Sequence, residues 1–152
     1  MAAVLMRKLL EIKDYQLINP EWTKMAPEQK EQLKVLLLEI LISEKDKKLK
    51  KATMDVINQV AENVFESENE KWDELISLIL NFLSLGLTED NYINIECGLN
   101  LLSGIFNFVY DDIITKIEGL VTVFRTFYKT NSLSLKVRTS RTIAEMITYC
   151  EK

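Results

Sequence analysis

Histidine is absent from the 152 residues of this chain. With it go the usual general base, the Ser-His-Asp arrangement and the commonest ligand of zinc and haem sites. Glycine and proline are scarce, at four and two residues, so the punctuation that strands and hairpins need is missing. No G-x-x-x-x-G-K-[ST] or G-x-G-x-x-G stretch exists to cradle a phosphate. A basic excess is missing too: the net charge is -4, whereas a dedicated nucleic-acid binder usually carries a strong positive balance. The two cysteines, Cys97 and Cys150, have no metal-type spacing. Both fall on apolar helical faces and read as reduced core residues, which points to an intracellular compartment. The opening MAAVL has no basic residue before its short apolar run, and Arg7-Lys8 interrupts it. It is neither a signal peptide nor a membrane span.

What is present is helical periodicity. In the stretch from Asp46 to Phe65, Leu49, Ala52, Thr53, Val56, Ile57 and Val60 recur at helical spacing, and Ala61 and Val64 extend the face. Lys47, Lys50, Lys51, Asp55, Asn58, Gln59 and Glu62 fill the opposite side. Small and β-branched residues on the apolar face let a neighbouring helix approach closely. Two nearly all-apolar helices flank it, Leu33 to Ile42 and Leu75 to Leu87, and each needs cover on several sides.

The rest of the chain follows the same scheme. Residues 1–12 form an amphipathic helix with Val4, Leu5, Leu9 and Ile12 on one side. No capping residue precedes it, which suggests a lone helix whose partner is missing. Residues 13–26 form a long loop around Asn19 and Pro20, with Trp22 docked back on the fold, and Pro27 opens the next helix. Ser67 and Glu70 have capping-box spacing, and Glu68, Glu70, Asp73 and Glu74 crowd a helix start. Thr88 to Asn91 break the chain, and a helix over Tyr92 to Tyr110 follows. Asp111-Asp112 starts another, with Ile113, Ile117, Leu120, Val121, Phe124 and Phe127 on its apolar face. After Thr130 to Ser132 the last helix, Leu133 to about Cys150, turns Leu135, Ile143, Met146 and Ile147 inward.

These segments make seven helices: one lone helix and three pairs over about 27–65, 69–110 and 112–150. Pair starts recur at roughly the 40–47 residues of a HEAT or armadillo unit. The second helices open on similar phrases: DKKLKKATMDVI, NYINIECGLNLL and NSLSLKVRTSRTIA. The expected fold is therefore all-α, a HEAT-repeat α-solenoid of about three and a half repeats forming one block over 1–152; a plain helical bundle is the alternative. The carboxylate pairs Glu89-Asp90 and Asp111-Asp112 sit at helix starts, where capping explains them. No catalytic, cofactor or metal group is expected, so an enzyme is disfavoured. The Lys47–Lys51 run lacks interleaved aromatic residues for stacking bases and reads as a solvated face.

At the level of residues, MAAVLMRKLL resembles a helix of the importin beta (karyopherin beta) family that reads A-x-x-L-L-R-R-L-L, and is most like the importin-5 branch. Trp22-Thr23-Lys24-Met25 is similar to a family aromatic before the next helix, Lys71-Trp72-Asp73-Glu74-Leu75-Ile76 to Q-W-P-E-L-I, and Leu135 to Ala144 (LKVRTSRTIA) to a later B helix. Asp73 replaces the family proline, and Ile95 stands where a HEAT repeat often carries arginine. The resemblance implies a piece of a nuclear transport receptor that shuttles between cytoplasm and nucleus. Its partners would be the GTP form of the GTPase Ran, import cargo proteins and nucleoporins, with no nucleic acid or membrane. Ran would be bound through B helices, and the helical wheel offers Asp55, Asn58, Gln59 and Glu62 on the first and Asn100, Ser103 and Asn107 on the second. A generic HEAT scaffold or adaptor unrelated to Ran is the alternative. Uncovered apolar stripes on residues 1–12 and 133–150 lead us to expect self-association through the ends.

Overall fold

The structure is a computed structural model that describes residues 22–67 and 70–150, except the side chain of Asp112. The expected lone helix over 1–12 and most of the loop over 13–26 lie outside the described residues. Among the described residues the fold is all-α, with seven complete helices and no strand. The chain divides into two units at Lys71/Trp72.

The first unit holds α1 (Pro27–Ser43) and α2 (Lys47–Glu66), packed on each other. Pro27 occupies the first turn of α1, where its missing N–H costs nothing. The Gln29 side chain accepts from the Ala26 N–H at 3.2 Å, which satisfies one orphan donor. Asp46 caps α2, its carboxylate accepting from the Lys48 and Leu49 N–H groups at 2.8 and 3.0 Å. Leu37, Leu38 and Leu41 of α1 are buried, as are Met54, Ile57, Val60 and Val64 of α2. Each such side chain contributes roughly 1.5–3 kcal/mol.

Three expectations need correction here. The apolar helix α1 is not covered on all sides, since Val35 and Ile42 are more than half exposed. On α2, Leu49 is exposed and Lys50 buried. The cause is Lys50 Nζ, which donates to the Leu41 carbonyl at 2.7 Å and draws its own stem inward. Trp22 is buried as expected, with Lys30 Nζ 5.0 Å from its ring centroid, but residues 22–24 are helical where a loop was expected.

The expected capping box at Ser67 and Glu70 does not form. Ser67 instead ends α2, its hydroxyl donating to the Asn63 carbonyl at 2.9 Å. Glu70 accepts from Lys30 Nζ, and the next helix starts three residues later, at Asp73.

The second unit contains α3 (Asp73–Leu83), α4 (Glu89–Ile105), α5 (Tyr110–Ile114), α6 (Ile117–Tyr128) and α7 (Leu133–Cys150). Here α3 packs on α4, α4 on α7, and α6 on α7. The α3/α4 and α6/α7 pairs thus meet through their second helices. Trp72 is buried directly before α3, and Asp73 and Glu74 lie in its first turn, where the dipole favours negative charge. At Gly98 an added Cβ would lie 2.9 Å from Phe82 Cβ, so the absence of a side chain lets α3 and α4 close together.

The helix expected to run on to Tyr110 stops at Ile105. Phe106 stacks edge-on against both Tyr110 and Tyr149, at 5.7 and 5.8 Å between centroids. The turn formed by Phe108 N–H on the Ile105 carbonyl, at 2.9 Å, allows that cluster. The helix expected from Asp111-Asp112 is likewise split, with Lys116 N–H donating to the Ile113 carbonyl at 2.8 Å between α5 and α6. On α7, Leu135 and Met146 are buried as expected, but Ile147 is 52% exposed. Thr139 and Thr142 take core places instead, their hydroxyls donating to the carbonyls of Leu135 and Leu99. Cys97 is buried, whereas Cys150 is exposed and not a core residue.

Candidate functional site

Three surfaces carry candidate binding groups, one in the first unit and two in the second. On α2, Asp55 and Glu62 are exposed and Asn58 and Gln59 half-buried. Their 3- and 4-residue spacing places the four side chains on one face. The face carries two carboxylates and two amides, so it suits a partner offering hydrogen-bond donors and positive charge. The Asn58 amide oxygen is buried with no hydrogen-bond partner among the described residues. Leaving an acceptor so placed costs roughly 1–3 kcal/mol, and its burial puts it out of reach of a partner on this face.

The residues expected on α4 are less available. Ser103 Oγ donates to the carbonyls of Asn100 and Leu99 at 3.0 and 3.2 Å. It also accepts from Arg138 Nη2 of α7 at 2.9 Å. Asn100 is half-buried, and Asn107 lies in the turn beyond the helix end. The structure therefore brings Asn100 and Ser103 together and leaves Asn107 off the helical row. Burial lowers the Arg138 pKa; Glu145 and Glu96 act against that shift and Arg141 with it. Arg138 was not singled out by its spacing. Its position on LKVRTSRTIA, inside a phrase read as a B helix, was the one available signal.

A third surface escaped the sequence reading. A groove of about 460 Å³ opens where α6 and α7 diverge beside α5. Ile117, Val121, Phe124, Arg125 and Tyr128 of α6 form one wall. Ile143, Met146, Ile147 and Cys150 of α7 form the other, with Phe106 and Ile114 at the end. Val121, Tyr128 and Ile147 are exposed along it. Periodicity places Ile147 in the core and Val121 on a buried stripe, yet both are exposed.

Among the described residues no three His, Cys, Asp or Glu side chains cluster as a metal site would, and no helix is long and apolar enough to cross a membrane. No protein-family model matches the chain, and neither a curated protein nor a solved structure matches it.

Proposed function

We propose that this chain is part of a nuclear transport receptor of the importin beta type, a HEAT-repeat α-solenoid that binds other proteins and catalyses nothing. Ran in its GTP form is the partner of the α2 face, with import cargo and nucleoporins as further partners and a cytoplasm-to-nucleus shuttle as the setting. The observation that carries the reading is the α2 face itself. Asp55, Asn58, Gln59 and Glu62 share one side of a helix whose other side is packed, and its two carboxylates, Asp55 and Glu62, are exposed. The resemblance of KWDELI and LKVRTSRTIA to the family supplies the identity of the partner, and the buried Trp72 ahead of α3 suits the aromatic that opens an A helix there.

Titrating the chain with Ran loaded with GTP or GDP tests the proposal. The GTP form should bind preferentially, and Asp55→Lys with Glu62→Lys should weaken it about tenfold, the effect of losing one good anchor. Equal binding of both forms, or none, would remove Ran from the reading. A second reading, a HEAT-type adaptor unrelated to Ran, draws on the split between α5 and α6, which departs from a regular two-helix repeat. It requires protein binding without any dependence on the bound nucleotide.

A further inference from the structure

We infer that the groove between α6 and α7 binds a free long-chain fatty acid, its hydrocarbon chain lying against Val121, Phe124, Met146 and Ile147 and its carboxylate meeting Arg125. This goes beyond the α2 face and does not depend on it. The volume, about 460 Å³, lies within the range of roughly 300–1,000 Å³ of small-molecule sites. The lining decides the chemistry of the occupant. Its walls are aliphatic, aromatic and sulfur-bearing side chains of helices whose backbone groups are bonded internally. The one hydroxyl among them, on Tyr128, is engaged with Ser140 Oγ at 2.7 Å. A sugar, nucleotide or extended peptide would surrender hydrogen bonds to water and recover few here. A hydrocarbon chain surrenders none and covers apolar surface that is otherwise wet. Met146 adds a side chain able to reshape around a flexible chain.

Arg125 fixes the other end. It is exposed, it is the only charged side chain in the lining, and no carboxylate accompanies it among the described residues. A guanidinium so placed complements a carboxylate through paired N–H donors. The same feature argues against a second copy of this chain as the occupant. In a two-fold interface centred on the groove the lining would meet its own equivalent. Arg125 would then lose water without gaining an acid, which is costly. One acyl chain also suits the volume better than the two chains of a phospholipid.

The test uses the full chain and oleate kept below its aggregation threshold, read by displacement of the fluorescent fatty acid cis-parinarate. Alkylation of Cys150 by iodoacetamide adds a local readout, because Cys150 lines the groove and is exposed while Cys97 is buried. We expect saturable one-to-one binding and slower alkylation of Cys150 with oleate present. Arg125→Glu should weaken oleate about tenfold, as expected for a lost charge-assisted bond, and leave methyl oleate unchanged. Val121→Arg and Ile147→Glu should each abolish binding of both ligands. Both positions are exposed, so helical circular dichroism should persist, and two variants guard against a folding defect in one. Absence of displacement overturns the inference, as does oleate binding indifferent to Arg125→Glu. Phosphatidylcholine vesicles that bind the chain as well as oleate does, and lose it in Val121→Arg, would make the groove a membrane contact instead. A dimer in sedimentation that dissociates in Val121→Arg and is unaffected by oleate would make it a self-association surface.

Discussion

Lysine ammonium groups rarely leave water, yet Lys50 is only 4% exposed. Its position is explained by what it touches. Lys50 Nζ lies 2.7 Å from the Leu41 carbonyl, in the last turn of α1, where orphan carbonyls and the negative end of the dipole attract a cation. Lys34 is buried for a different reason, donating to the Glu31 carboxylate and to the Lys71 carbonyl, outside any helix, at 2.7 and 2.8 Å. Replacing Lys50 by Met keeps the apolar stem and removes the donor, so Lys50→Met should destabilise the chain by about 1–2 kcal/mol. Lys51→Met, at an exposed position, should stay within about 0.5 kcal/mol of the parent. Urea unfolding of the two variants decides the matter, and equal midpoints would mean the buried contact adds nothing. The helical wheel could not have found this. It sorts residues by polarity, and so sent Lys50 outward and Leu49 inward. The real placement depends on where α1 ends, a tertiary fact.

At the scale of elements, close approach and turn geometry decide what polarity does not. Helix existence was readable wherever a breaker stood beside a periodic run: Pro27 opens α1, Asp46 caps α2, and Thr130 to Ser132 separate α6 from α7. The break after Ile105 was not readable. Gly104 stands just before it, but an isolated glycine is tolerated inside a helical pattern, and the break rests on Phe106 meeting Tyr110 nearby and Tyr149 from the far end of the chain. The groove shares that origin, since it forms where α5 and α6 replace one continuous helix. Glycine offers a sharper experiment, because Gly98 and Gly119 are both helical but differently surrounded. At Gly98 an added Cβ lies 2.9 Å from Phe82 Cβ, and at Gly119 it meets nothing within 4 Å. Alanine raises helix propensity at each site by up to about 1 kcal/mol. Overpacking at the α3–α4 contact costs about 1–3 kcal/mol. Gly119→Ala should therefore raise the thermal midpoint and Gly98→Ala lower it. A rise at both positions would show that α3 and α4 can separate without penalty.

For the molecule as a whole, the missing histidine returns as a statement about pH. No side-chain type in this chain has an ordinary pKa between about 6 and 7.5. Among the described residues it is Arg138 whose pKa is displaced, lowered from the ordinary arginine value chiefly by burial. Where the folded pKa of a base lies below its unfolded value, the unfolded chain binds more protons within that window, and stability rises with pH there. Below the window both states are charged, and the contribution is constant. The window for Arg138 lies beneath the ordinary arginine value, and a guanidinium stays protonated near neutrality, so the group gives no slope there. The half-buried Arg138 keeps its charge there and its bond to Ser103 Oγ at 2.9 Å, and the α4–α7 contact it bridges should be indifferent to acidification over this range. We therefore expect the same urea midpoint from about pH 6 to pH 7.5. A midpoint that falls as pH drops would require a carboxylate held ionised by the fold and protonated early. One that rises would require a carboxyl group kept neutral by burial, and either result would show that a group other than Arg138 sets the pH response.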